Sequence, residues 1–324
     1  MTARPIALAV LVALGAGCVS GGAEVAEPVP TLFDDEVVPS TSAPADETTS
    51  STASTTTIPV VDRLPALAED VPGAIVSDDG VVLPVTGTDG EVFFLLGPCG
   101  GEQIEPVSTA TRVGPQHVVL DPGGGDDEAG RVNLAVARRT AEELAADGVA
   151  VVLTRTSDAQ LGAGTRGAVG PAVGAAVLVS IQRGDGYAVT DDPRPTVFHR
   201  ADDPESRRLA GLIHHEVELS FADLDGPFTA HAEPGVRPLL NQRGEDFFRV
   251  LQTSPGVAAA RVELLGLDEN ETALLSSEEG REFEARALAD AIVRFLVTNE
   301  EGDGFVDPVE TMRTAPTTDA PGGC

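Results

Sequence analysis

The residues of this chain whose types and spacing could do chemistry gather in one stretch, His117 to Asn133, which reads HVVLDPGGGDDEAGRVN. A short apolar run, Val118 to Leu120, meets Asp-Pro, three glycines and an acidic triplet, and a helical pattern begins at Val132. This is a strand delivering a loop at its carboxyl end, the place where open α/β sheets hold ligands. Glycine-rich turns of this kind also cradle phosphates, but no G-x-G-x-x-G and no Gly-Lys-Ser/Thr is present, which disfavours a nucleotide. The carboxylates of Asp126, Asp127, Glu128, Asp185 and Glu263 offer either a Ca²⁺ or Mg²⁺ cluster or a solvated acidic rim, and in so acidic a chain the rim is the simpler reading. The histidines, His117, His199, His214, His215 and His231, read as ordinary surface or core residues. His117 precedes the first strand on the side away from the ligand-bearing end, and His214 and His215, adjacent on a helix, point to different faces.

The elements that position this loop follow from the hydrophobic periodicity. After Val118, Leu134, Ala137, Ala141, Leu144 and Ala145 recur at helical spacing, Asp147-Gly148 ends that helix, and Val149 to Leu153 reads as a strand. A further helical stretch leads to the strongly apolar Ala175 to Ile181. A strand around Val197 and Phe198, a helix from about Pro204 to Ser220, and an apolar run from Val257 to Leu267 containing another strand come next. Phe283, Ala287, Leu288, Ile292 and Phe295 mark a last amphipathic helix, with Ser276 and Glu279 as its capping box. Such alternation predicts an α/β fold with a mostly parallel sheet flanked by helices on both faces. Ahead of it, Ala74 to Val76, Val81 to Val85 and Glu91 to Leu96 are separated by Asp79-Gly80 and Asp89-Gly90, the signals of a small antiparallel β unit. That unit is either a binding module or a structural spacer, the spacer being the simpler.

Taken in order, VVLDPGGG, the helix opening at Val132-Asn133-Leu134, GVAVVLTRTSD at 148–158, Arg166, LVSIQ at 178–182 and ARVELLGLDENETALL at 260–275 resemble the zinc N-acetylmuramoyl-L-alanine amidases. These enzymes cut the amide that joins muramic acid to the peptide of bacterial peptidoglycan. The resemblance covers about residues 115–298 and is carried by the ordered set of motifs. It implies a zinc held by His, Glu and His, with a further Glu handling the proton of the attacking water. Three protein ligands leave one position open for water or substrate. The positions matching the ligands are Gly124, Ala129 (with Glu128 beside it in a shortened loop) and Gln182, whereas the proton-handling position is Glu263. Glycine offers no donor and an amide oxygen is a poor one, so no zinc is expected and no other cofactor is implied. The role of Glu263 stays open between a retained one, a remnant and a salt-bridge partner. Arg155, Asp158 and Arg166 read as structural, fixing loops by charge-assisted hydrogen bonds. The expectation is a catalytically degenerate amidase that binds peptidoglycan or a wall-remodelling partner; the alternative is an active peptidoglycan amidase with an altered metal site.

Composition and the flanks set the context. The 324 residues are 42% apolar with only 4% aromatic, so the core must be built from Val, Leu, Ile and Ala. The net charge of −31 opposes contact with nucleic acid or anionic lipid, and none of the 21 basic residues is Lys. Arg4, the apolar run Ile6 to Leu14 and the small residues before Cys18 read as an export signal over 1–17, resembling an imperfect lipoprotein signal. Lipidation of Cys18, with membrane attachment through it, and simple cleavage with release are both open. Residues 18–59 form a disordered tether rich in Ser, Thr and Pro. The small β unit takes 60–110, the amidase-like domain 111–299, and 300–324 is a flexible tail. Cys99 and Cys324, in an exported chain, are expected to pair.

Overall fold

The strand Val177–Gln182 shows how the sequence builds this molecule: all six of its residues are buried, so it must be covered on both faces. The computed structural model describes residues 59–183, 196–222, 235–263, 273–274 and 276–310. The expected export signal, the tether, Asp185, His231 and Cys324 lie outside the described residues.

Strands β1 (Ala74–Val76), β2 (Val82–Thr88), β3 (Val92–Leu96), β4 (Glu102–Pro106) and β5 (Thr111–Val113) form an antiparallel sheet in the order β4-β3-β2-β1-β5. Gly80 and Gly90 of its Asp-Gly turns have φ of 74° and 96°, the left-handed region that glycine enters without strain. β5 carries this sheet to Val113, beyond the expected boundary at 110.

The second sheet is built from β6 (Val118–Pro122), β7 (Val151–Leu153), β8 (Val177–Gln182), β9 (Thr196–His199), β10 (Gly235–Arg237) and β12 (Ala258–Glu263), in the order β10-β9-β12-β8-β6-β7. β7, β6, β8 and β12 run parallel, while β9 is antiparallel to β12 and parallel to β10. α1 (Glu128–Ala146), α3 (Pro204–Ala222) and α5 (Glu278–Val297) cover one face; α2 (Ala163–Ala172) and the short α4 (Arg249–Gln252) cover the other. Alternation along the strands divides the core accordingly: Val118, Leu120, Val177, Val179, Ala258 and Ala260 meet the three-helix layer, and Val119, Leu178 and Ala259 meet the opposite one.

The small sheet is welded to the large one. Val82 N–H donates to Thr154 O at 2.8 Å, Thr156 N–H to Gly80 O at 2.7 Å, and Gly162 N–H to Pro98 O at 2.8 Å. Leu161 packs among Ile75, Val81, Leu83, Val85, Phe93 and Leu95. The unit therefore braces the segment 154–165, and an independent spacer does not describe it.

Several sequence expectations shift. α1 begins at Glu128, four residues earlier than its apolar period indicates, because the Asp127 carboxylate caps it by accepting from Gly130 N–H at 2.7 Å. α5 is capped by Ser277, whose hydroxyl accepts from Gly280 N–H at 3.0 Å, and not by Ser276. The first part of the expected loose tail is ordered: Gly302 lies directly against Gly211 of α3, Phe305 stacks beneath Arg207 at 3.5 Å, and β13 (Val309–Glu310) pairs with β11 (Leu239–Leu240). On this strap Asp303 receives His214 Nδ1 at 3.0 Å on one oxygen and His215 Nδ1 at 2.7 Å on the other. The two adjacent histidines thus converge on one carboxylate instead of diverging. His117 lies at the amino end of β6 as expected; its Nδ1 accepts from Ala150 N–H, which leaves Nε2–H to donate to Pro65 O at 3.0 Å.

Candidate functional site

Strand register brings the scattered motif residues to one place. Asp121 pairs with Ser180 and Ser180 with Arg261, forming one row across β6, β8 and β12. Two residues further along, Gln182 pairs with Glu263, and Gly123 N–H donates to Ile181 O at 2.9 Å. Gly123, Gln182 and Glu263 therefore share the α2 side of the sheet at the carboxyl ends of its parallel strands, with Gly124 next in the chain. Ala129 stands in the first turn of α1, half-buried, and Glu128 is exposed.

Beneath this end lies a row of buried charge. The Asp121 carboxylate is fully buried and accepts from Thr154 Oγ1, Ser180 Oγ and Arg166 Nη1, each at 2.7 Å. Three donors, one of them charged, offset the cost of taking this carboxylate out of water. Gln182 Nε2 donates to Ser180 Oγ at 3.0 Å, which holds its amide against the glycine loop. A methyl group on Gly123 would sit 1.9 Å from Gln182 Oε1, and one on Gly125 would sit 2.5 Å from Gln160 Cγ. The loop is thus packed on both flanks by glutamine side chains.

Arg155 shapes the loop from below. Fully buried, it donates to Pro122 O at 2.8 Å, Gly123 O at 3.0 Å, Gly130 O at 2.7 Å and Ser157 O at 2.6 Å, which ties both ends of the 122–130 loop to one guanidinium. Burial pulls its pKa down, against the fields of Asp121 and Asp158. Asp158 is exposed and acts on Arg155 through that field. Arg166, on α2, is spent on Asp121.

Glu263 is buried and engaged: Arg261 Nε reaches its Oε1 at 2.8 Å and Arg261 Nη2 at 2.7 Å. Phe248 lies under the same guanidinium at 4.1 Å. On the other face Asn133 Nδ2 donates to Gly123 O at 3.1 Å, Arg183 Nη1 donates to Asn133 Oδ1 at 2.8 Å, and Arg183 also pairs with Glu284 of α5. Burial raises the Glu284 pKa by more than Arg183 lowers it. Sequence reading missed Arg261, Arg183, Gln160 and Glu284. A signal existed for Arg261, since two positions from Glu263 on a strand puts both side chains on one face.

Among the described residues no group of three or more His, Cys, Asp or Glu side chains is placed to hold a metal ion. Asp126, Asp127 and Glu128 are exposed, and Asp127 is committed to its cap.

The family model for N-acetylmuramoyl-L-alanine amidase matches residues 118–294, more than half of the chain and the whole of the large sheet with its helices up to the last residues of α5. The chain belongs to the N-acetylmuramoyl-L-alanine amidase family. Solved amidases are similar to it at low identity. The N-acetylmuramoyl-L-alanine amidase of Clostridium difficile 630 is 21% identical, over 58% of this chain and 100% of that one, with a TM-score of 0.47. The catalytic domain of the amidase from Bacillus (Paenibacillus) polymyxa is 23% identical over 55% of this chain and 97% of that one, TM-score 0.43. The amidase of Mycobacterium smegmatis is 18% identical over 57% and 98%, TM-score 0.45. None of the curated proteins matches. In the amidase-family match, Gly124, Ala129, Gln182 and Glu263 all fall within the matched span, whereas the small sheet and the strap after residue 298 lie outside it.

Proposed function

We propose that this chain is a catalytically degenerate amidase-family protein of the cell envelope, one that binds peptidoglycan or a wall-remodelling partner and does not cut the muramoyl-L-alanine amide. The observation that carries this reading is the state of the loop end: neither histidine position holds an imidazole, and the retained glutamate is already in an ion pair. Gly124 has no donor. Gln182 is a neutral amide engaged with Ser180, and Glu263 is bound by Arg261. A catalytic zinc rests on three deprotonated protein ligands, and an amide is a weak substitute for imidazole. The residues present do not fit zinc, so no step of hydrolysis is derived through one.

Peptidoglycan or a wall protein remains the ligand class this family membership favours, and the carboxyl end of the parallel strands is where α/β proteins take ligands. Export through residues 1–17, with Cys18 lipidated or removed, would bring the chain to that ligand; both belong to this proposal. No described helix is long and apolar enough to cross a membrane.

The test is metal content and wall digestion on the same purified protein. The expected result is much less than one zinc per chain, pull-down with insoluble peptidoglycan or with a wall-remodelling protein, and no release of peptides. Peptide release that stops on chelation or in Glu263→Ala would instead establish an active amidase with an altered metal site.

A further inference from the structure

We infer that Arg261 is a built-in counter-cation for Glu263: its guanidinium takes this carboxylate at the strand ends into a structural ion pair and keeps it from moving protons. The inference rests on the noncatalytic reading above and adds the device that enforces it. Arg261 is wholly enclosed, flanked in register by Ser180 on β8 and Phe198 on β9, with the Phe248 ring against its guanidinium. A cation so enclosed needs an anion at contact distance, and Glu263 Oε1 supplies one to two of its nitrogens. The dependence is mutual, because Glu263 is itself buried. Asp121, in the same layer, is already shared among Arg166, Ser180 and Thr154. A carboxylate fixed in this way holds its geometry with no bound metal. Neither partner is then available to a substrate without breaking the pair.

A double-variant cycle tests this: thermal unfolding of wild type, Arg261→Met, Glu263→Gln and the two combined, each with and without EDTA. Each single change should lower Tm by roughly 10 °C, since it removes one partner of a buried ion pair. The combined variant should melt nearer to wild type than either single one, and chelation should move none of the four. If Arg261→Met yields no soluble protein, recovery of soluble protein in the combined variant supports the pair and continued loss overturns it. Losses that simply add overturn the counter-cation while leaving the noncatalytic reading intact. A wild-type Tm that falls on chelation overturns that reading itself.

Discussion

Replacing Gly124 by alanine should destabilise the protein far more than an exposed loop position normally allows. Gly124 has φ of +78°, and a methyl group there would lie 2.8 Å from Gly130 Cα, 3.1 Å from Gly130 N and 3.2 Å from Asp127 Oδ1. The left-handed conformation alone costs a non-glycine residue about 1–2 kcal/mol. Contact with backbone held inside the first turn of α1 adds about 1–3 kcal/mol, as in other overpacked sites. The sum, about 2–5 kcal/mol, corresponds to a Tm lowered by about 5–15 °C in a domain of this size. Gly256 supplies the control: its φ is +75°, yet nothing lies within 4 Å of an added methyl, so Gly256→Ala should show the conformational cost alone. Urea unfolding of both variants against wild type gives the two values, and their difference isolates the contact with Gly130. Equal losses at the two positions would refute the argument. The same geometry predicts that Gly124→His combined with Gln182→His will not rebuild a zinc site unless the loop itself is reshaped.

Two further outcomes are expected. The Glu284 pKa is raised by burial, so its contribution to stability is fully present below its ordinary value near 4.5 and is lost as pH rises through the raised one; stability of Glu284→Gln relative to wild type should therefore improve as pH rises above 4.5, and a difference independent of pH would count against it. For Asp303, burial works to raise the pKa, but hydrogen bonds from His215 and His214 together win and hold it below the usual carboxylate range. Its contribution is thus present above pH 3.8 and lost below, and Asp303→Asn at neutral pH should open the segment 298–310 to limited proteolysis, whereas an unchanged cleavage pattern would show the strap held by Phe305 and the glycine contact alone.

The order of strands and helices was legible because apolar runs such as Val118 to Leu120 and Val177 to Ile181 are fully buried and long enough to set a period. Helix starts were less so: Asp127 and Ser277 are capping residues outside that period, and neighbouring acidic and hydroxyl residues compete for the same role in sequence. The meeting of Gly124, Gln182 and Glu263 could be foreseen from family order, and parallel register supplies the physical reason. What sequence did not reveal is how the charges are spent. Arg261 and Glu263 share a strand face and were in principle readable as a pair. Arg183 and Glu284 are about a hundred positions apart, and only the packing of α5 over the end of β8 joins them. The disulfide was half legible: Cys99 is disulfide-bonded, while Cys18 and Cys324 lie outside the described residues.

The strap after α5 closes one border of the large sheet. Val236 N–H donates to Gly304 O at 2.8 Å and Val306 N–H donates to Val236 O at 3.1 Å, so the outer rim of β10 is already hydrogen-bonded. At the other border, Val81 bridges Arg155 just past the end of β7. A protein truncated at Asn299 would lose the first of these closures and uncover backbone donors and acceptors together with the surface that receives Phe305. Such a rim is a template for another chain to add a strand. Removing the strap in this way would therefore favour edge-to-edge aggregation, visible as a rise in light scattering with concentration.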